Sequence, residues 1–570
     1  MRGRHRYRHA AHRIPRPRWL RWVTLAGLVG AVLLGGGCVT TGPREWVRNG
    51  FKVGPNYCRP PAPVAEEWIQ AADARVQNRH LQDWWKVFQD PTLDALIDTA
   101  YAQNLTLRTV ATRVLQARAQ QAIAAGNLFP QTQQATGQYS RVNLSHNAFN
   151  NPSAFAAASG RTVPPGSLFG NFYSDWTAGF NLSWELDFWG RLRRAIESAN
   201  ATLDASVENY DDALVTLLAD VATNYVQYRV AQQRIKIARD NVRIQERLVT
   251  VVEQQAKVGT YTRLDVEQLR TLLEQTRSTI PFLQIAMGQA NDTLCILLGT
   301  PPRDLGPELG PGPELGSAPM PNTPPWVAAG IPADLLRRRP DVRSAERQVA
   351  AQSAQIGVAE AGLYPTIFVN GTLGYEAFDL SKLFDSRSFF GTVTPNFKWN
   401  ILNYGRIVND VHQQEARTQE LIATYQNLVL TAAQQAQTAL RGFLRSQEQA
   451  ESLARSVKAA VAATQIEEKV YTTIKADVNR LFTLENSQVQ QQDNLAVAQG
   501  NIALNLITVY RALGGGWELR LEKDNCGERP ASDAEAAPGT VPSPGPVAVL
   551  LAPRRVPGPR AGESLSRREP

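Results

Sequence analysis

Trp184-Glu185-Leu186-Asp187-Phe188-Trp189-Gly190-Arg191 closes an alternating stretch and opens a very long helical one. About 215 residues later, Trp399-Asn400-Ile401-Leu402-Asn403-Tyr404-Gly405-Arg406 does the same. At that offset Tyr210 matches Tyr425, and Leu298-Gly299 matches Leu513-Gly514. Upstream the offset becomes 235, where Asn127-Leu128-Phe129-Pro130 corresponds to Gly362-Leu363-Tyr364-Pro365. The first copy therefore carries about 20 extra residues, in the Asn/Ser/Ala/Gly/Pro-rich stretch around 145–168. A long repeat that changes from helix to strand to helix marks a tandemly duplicated unit. It predicts one elongated architecture of two similar halves, where 570 residues would otherwise suggest three or four domains.

The strands decide the medium. Phe172, Trp176, Ala178, Phe180, Leu182, Trp184, Leu186 and Phe188 stand at even positions, with Asp175, Thr177, Gly179, Asn181, Ser183, Glu185 and Asp187 between them. Alternation of this kind puts one face in an apolar medium and the other in a polar one. In the second copy Phe389, Val393, Phe397, Trp399 and Ile401 are set against Thr392, Thr394, Asn396, Lys398 and Asn400. The predicted strands are 130–144, 172–188, 366–378 and 389–402. A soluble sheet with one buried face would also alternate. Strands longer than the roughly 9–11 residues that cross a bilayer, with aromatic girdles, favour a lipid-facing barrel. Four strands per chain cannot enclose a wide lumen, so several chains must contribute.

Helical patterns run over 191–257 and 406–471, with shorter ones at 105–126, 264–297, 340–361 and 481–513. Leu203, Val207, Tyr210, Leu214, Leu217, Val221, Asn224 and Tyr228 form a seam of alternating four- and three-residue steps, which predicts coiled-coil packing. A short helix is expected near 65–80, a break near Asn104 and a kink at Pro281. The lengths suggest that each long helix runs antiparallel to a stacked pair of shorter ones.

The formal charge of +8 resides in the leader. Residues 1–37 hold eight Arg and no Lys, Asp or Glu, which leaves 52 basic and 52 acidic residues in the rest of the chain. A neutral mature chain gives no support to nucleic-acid binding. The basic leader and the charge-free Trp22–Gly37 read as a signal peptide. It ends Gly35-Gly36-Gly37-Cys38, which favours lipidation of Cys38 over ordinary cleavage beside an incidental Cys, although Gly35 stands where such sites usually carry Leu. Cys38, Cys58, Cys295 and Cys526 are widely spaced, and of the six His three lie in the leader while His80, His146 and His412 share no ligand spacing. Neither a disulfide framework nor a metal site is expected, and no cofactor or catalytic constellation is legible, so the chain is read as a non-enzyme.

The segments are thus a signal peptide (1–37), a lipid-anchored arm (38–90), a first repeat (91–299), a Pro/Gly-rich linker (300–330), a second repeat (331–517) and a disordered tail (518–570).

Val53-Gly54-Pro55-Asn56-Tyr57, Leu297-Leu298-Gly299 with Pro301-Pro302, and Ile331-Pro332-Ala333-Asp334-Leu335-Leu336-Arg337-Arg338-Arg339-Pro340-Asp341-Val342 carry a family resemblance. Ala345-Glu346 and Ile356-Gly357-Val358-Ala359 extend it. Over about residues 50–517 the chain resembles outer-membrane efflux proteins of the TolC-like superfamily, in the NodT-type lipoprotein branch. The resemblance implies a mainly α fold with transmembrane β. In it a homotrimeric, 12-stranded outer-membrane β-barrel, four strands per protomer, continues into a long periplasmic α-helical barrel with an equatorial belt that takes in 300–330. It further implies a passive conduit for drugs or other small solutes, held in outer-membrane lipid. Its partners would be a periplasmic adaptor (membrane fusion protein) and an inner-membrane pump.

The resemblance also places an adaptor-contacting tip at two turns: Val258, Gly259, Thr260, Leu264 and Asp265 in the first, Ala476, Asp477 and Val478 in the second. Ala476 replaces the family's usual Gly. Leu481 and Glu485, four apart on one helical face, match the residues that constrict related channels, with Glu in place of the usual Asp. A solvent-facing Glu beside a packed Leu is the alternative. Two other functions stay open: a type I secretion channel, and a periplasmic coiled-coil structural protein, which leaves the amphipathic strands unexplained.

Overall fold

The structure, a computed structural model, describes residues 41–78, 82–143, 172–310, 320–473 and 478–521. The leader, Cys38, the extra stretch near 145–168 and the tail beyond Leu521 lie outside them. The chain is mainly helical. In order come α1 (Pro43–Arg48), α2 (Pro91–Gln103), α3 (Leu105–Gly126), β1 (Thr132–Asn143), β2 (Phe172–Leu186), α4 (Arg191–Lys257) and α5 (Arg263–Leu297). Then follow α6 (Pro340–Ala361), β3 (Thr366–Ala377), β4 (Phe389–Lys398), α7 (Arg406–Thr473) and α8 (Val478–Ala512). Among the described residues no helix is long and apolar enough to cross a membrane.

Two compact units divide the chain, and each draws on both repeats. The first comprises residues up to Pro60, Ala117–Leu203 and Glu346–Thr424. Its centre is one antiparallel sheet ordered β1-β2-β3-β4. Tyr139 faces Trp176, Phe180 faces Leu373 and Ile367 faces Phe397, so the apolar positions of all four strands share one side. Thr177 with Glu376, Ser183 with Asn370 and Thr372 with Thr392 share the other. On that polar side Gly179 and Gly374 are direct partners, and a Cβ on either would lie under 3 Å from the other's backbone.

The opening motif makes the joint between sheet and helix. Trp184 Nε1 donates to Leu128 O (3.1 Å), and Glu185 holds Arg191 in a two-point ion pair (2.9 and 2.7 Å). Asp187 caps α4 by accepting from the amides of Leu192 (2.9 Å) and Arg193 (3.0 Å), which satisfies donors that a helix start leaves free. Trp189 Nε1 donates to Pro365 O (2.8 Å), and its ring stacks on Tyr364 at 4.5 Å. Buried Arg194 then clamps the N-terminal arm through Val53 O, Gly54 O and Asn56 Oδ1. Trp46 of α1 closes over Phe188 and Trp189.

The second unit comprises Pro61–Gln116, Asp204–Ala345 and the chain from Tyr425 on. Here α4 runs antiparallel to α8, through a two-point Arg234–Asp493 ion pair and an Asn241–Gln492 hydrogen bond (3.0 Å). The break at Asn104 is a cap: its Oδ1 accepts from Leu107 N (2.7 Å), while its Nδ2 donates to Leu297 O at the end of α5 (2.8 Å). Arg339 does the equivalent in the second copy, donating to Ala512 O at the end of α8 (2.9 Å). The two shorter helices of each repeat therefore abut end to end. Arg339 also pairs with Asp341, and Arg343 reaches Glu208 and Asp211 while lying 4.4 Å over Trp517, so the Arg-rich signature is structural.

One local expectation is corrected. No helix forms in the described residues of 65–80. Val76–Gln77 instead pairs in parallel with Val327–Ala328, and this pairing takes the backbone groups a helix would have used. The helical turn falls at Trp84–Phe88, with Trp84, Trp85 and Phe88 buried. Pro281 lies inside α5, which continues through it to Leu297 as one helix.

Candidate functional site

The turn joining α4 to α5 is fixed from both sides. Gly259 has φ +79°, Thr260 N donates to Gln255 O (3.0 Å) and Gly259 N to Ala256 O (3.1 Å). That is a Schellman ending, in which a left-handed residue lets the last carbonyls find donors. Three residues on, Thr262 caps α5 in a reciprocal box with Asp265: Asp265 N donates to Thr262 Oγ1 (3.3 Å), and Thr262 N to Asp265 Oδ2 (2.7 Å). Between the two caps Tyr261 turns inward. Val258 and Leu264 point out and are exposed. The result is a rigid, short-looped knuckle with two apolar side chains offered to solvent.

Tyr261 enters a cluster with Val249, Val252, Val266, Leu269 and Leu273, and α8 contributes Leu481 to the same cluster. Glu485, one turn further along α8, is only 4% exposed. Burial first, and then the charge of Glu468, push its carboxyl up to about 7. The seam of α4, continued in its three- and four-residue steps, passes Ile235, Ala238, Gln245, Val249 and Val252, all buried. Gln245 is one turn on from Asn241, and Gln488 one turn back from Gln492, the partner of Asn241; Gln245 therefore lies level with Gln488, which is one helical turn from Glu485. It is 2% exposed, and neither amide atom finds a hydrogen-bond partner among the described residues. An apolar layer at the knuckle thus gives way to a polar layer holding a buried carboxylate.

The structure brings Leu481 against Val249, Val252 and Tyr261 within one chain. Ala476 and Asp477 lie outside the described residues; Val478 opens α8, and nothing is described of its side chain. Tyr261, Gln245 and Glu468 are the neighbours that sequence reasoning missed, although extending the seam beyond Tyr228 would have reached Gln245. Among the described residues no group of three or more His, Cys, Asp or Glu could hold a metal ion. Cys58 is exposed and Cys295 buried, both as free thiols.

Known proteins share the sequence and fold of this chain. The family model described as outer membrane efflux protein matches residues 96–300 and 331–515, which are the two repeats without the linker. The pyoverdine export outer membrane protein OpmQ of Pseudomonas putida is 30% identical over 451 residues, covering 79% of this chain and 92% of that protein. The probable outer membrane lipoprotein SilC of Salmonella typhimurium is 28% identical over 471 residues, 81% of this chain and 95% of its own. Among solved structures, the outer-membrane channel OprN superposes with a TM-score of 0.73 at 29% identity, covering 82% of this chain and 99% of that one.

Proposed function

The chain belongs to the outer membrane efflux protein family and is an efflux-pump channel of the outer membrane, and on that premise we propose that three copies close one twelve-stranded barrel. The observation carrying this is the sheet: one apolar side, one polar side, and outer edges of β1 and β4 that find no partner strand among the described residues. In hydrocarbon an open edge leaves backbone groups without partners, so closure must come from other copies. The polar side, with Thr177, Ser183, Asn370 and Thr392, then lines a wet lumen. Helices α4, α5, α7 and α8 supply the periplasmic conduit. Solutes pass without chemistry, and the energy comes from the pump.

The arm supports anchoring at Cys38. Thr41, three residues on, is held by both ends: its amide donates to Glu360 (2.5 Å), and its Oγ1 accepts from Gly54 N (2.8 Å). An acyl chain on Cys38 would join the arm three residues before this fastened Thr41, as suits a chain resembling a relative named a lipoprotein.

The knuckle at Val258, Gly259, Thr260, Leu264 and Asp265 docks the periplasmic adaptor, together with the second turn at Ala476, Asp477 and Val478. Leu481 and Glu485 form the gate. Since Leu481 packs into its own chain's cluster, opening means shifting α8 against the α4–α5 hairpin. The cargo is a class of small solutes, in keeping with a relative named for pyoverdine export.

The test is direct. Purified from outer membranes, the protein should run as a heat-dissociable trimer and give stepwise conductance in planar bilayers. Monomers without conductance would overturn the reading.

A further inference from the structure

Asp211 and Asp212 are neighbours on α4 with opposite surroundings. Asp211 is fully buried between Arg343 and Arg520. Asp212, about 100° further round the helix, has neither a hydrogen bond nor an ion pair among the described residues. Burial first, and then the charge of Asp341, hold its carboxyl above the ordinary carboxylate value. At the repeat offset of 215 its counterpart is Asn427, so the duplicated helix does not require an acid at this position.

Asp212 borders a hollow of about 710 Å³ walled by α4 and α7, with α8 as its floor and the start of α6 at one end. The floor is tied to both walls: Asn505 Nδ2 donates to Gly442 O on α7 (3.3 Å), and Arg511 pairs with Asp220 on α4 (3.1 Å). Tyr510 marks the covered side of α8, where it is buried and stacks on Trp84. Thr508, two residues back and so about 200° round the helix, is exposed and lines the hollow. On the channel reading above, this bare side of α8 faces the lumen.

The hollow is rich in acceptors. Thr508 Oγ1 gives its proton to Leu504 O (2.8 Å) and Asn505 gives an amide proton to Gly442 O, which leaves the oxygen lone pairs of both side chains for a ligand. Thr216 and Thr438 add hydroxyls. The two cations on its border are already engaged, Arg339 by Asp341 at two points (3.0 and 2.6 Å) and Arg511 by Asp220. With those pairs neutral, the carboxylate of Asp212 is the charge left without a partner.

Resting on the channel reading, we propose that this hollow is a holding site for cargo that carries a protonated aliphatic amine. Asp212 takes the ammonium as its missing counter-charge, and Thr508 and Asn505 accept hydrogen bonds from the N–H groups around it. One charge pair on a wet wall binds loosely, as a conduit requires, since a solute held tightly would not leave.

The test uses full-chain trimers in planar bilayers, with spermine as the probe. Spermine added on one side should block the wild-type current reversibly. Asp212→Asn should raise the half-blocking concentration about tenfold, the equivalent of about 1.4 kcal/mol, and Thr508→Val should raise it about threefold. A block that survives Asp212→Asn, or one that disappears only with Glu485→Gln, would put the amine elsewhere and overturn the site while sparing the channel. A conducting wild type that spermine leaves unblocked would do the same. Should Asp212→Asn yield no channels, Thr508→Val decides in its place, because its side chain is exposed; an unshifted block then overturns the site. A wild-type protein that never conducts would overturn the channel reading itself.

Discussion

Gly54 and Gly357 touch backbone to backbone: a Cβ on Gly54 would lie 2.4 Å from Gly357 Cα. Two signature motifs 303 residues apart, Val53-Gly54-Pro55 and Ile356-Gly357-Val358, are thus halves of one contact. Gly54 also has φ +83°, so it needs glycine for conformation as well as for space. Arg194 and Thr41 then fasten the arm on either side.

Gly357→Ala should therefore unseat the arm. A methyl placed there would meet Val53 O at 2.7 Å, an overpacking that costs about 1–3 kcal/mol. Limited proteolysis of purified channels should show faster cleavage between Thr41 and Asn56, with the sheet intact. Wild-type cleavage rates would refute the contact.

Val258→Asp and Leu264→Asp separate docking from folding. Both side chains are exposed, and the caps at Gly259 and Thr262 do not depend on them. Trimer yield and bilayer conductance should stay at wild-type levels while adaptor co-purification falls at least tenfold, the effect of losing about 1.4 kcal/mol of binding. Unchanged adaptor capture by the double variant would remove the knuckle from the docking surface.

Arg520 secures the end of the described chain. It donates to Asp211 at 2.7 and 3.0 Å, and Asp211 is fully buried with Arg343 as its second cation. Arg520→Met leaves that carboxylate half-compensated, and breaking such a buried pair costs about 3–5 kcal/mol. The melting temperature should drop clearly. Arg520→Met with Asp211→Asn should recover much of the loss, because no charge then stays buried alone. Equal melting of the single and double variants would refute the coupling.

Local pattern carried much of this fold. Period-two alternation from Trp176 to Leu186 reads directly as β2, and the seam through Tyr210 and Leu217 reads as the buried stripe of α4. Gly259 announces a helix end because only its φ is needed. What stays hidden depends on distant partners. Trp189 reads as one more aromatic until Pro365 and Tyr364 are set beside it. Val76–Gln77 carries no strand signal of its own, since Val327–Ala328 supplies the pairing. At the tip, the spacing of Leu481 and Glu485 marks one helical face, but which face is buried is decided by the α4–α5 cluster of Val249, Val252, Tyr261 and Leu269 that Leu481 joins.

Glu485 offers the sharpest pH test. Its folded value of about 7 lies above the ordinary 4.5, so between these limits the folded chain keeps a proton that the unfolded chain has released. Packing of α8 on the α4–α5 hairpin should therefore be strongest below about pH 4.5. It should weaken as pH rises to about 7 and level off above that, with a total change of no more than about 3 kcal/mol. Glu485→Gln mimics the protonated acid and should flatten the dependence. Protease cleavage in the hairpin, followed from pH 5 to 8, should accelerate with pH in the wild type and hold steady in the variant. In bilayers the same substitution should reduce cation selectivity once the charge is gone. Parallel pH curves for the two proteins would show that Glu485 is not the titrating group, and unaltered selectivity would take it out of the gate.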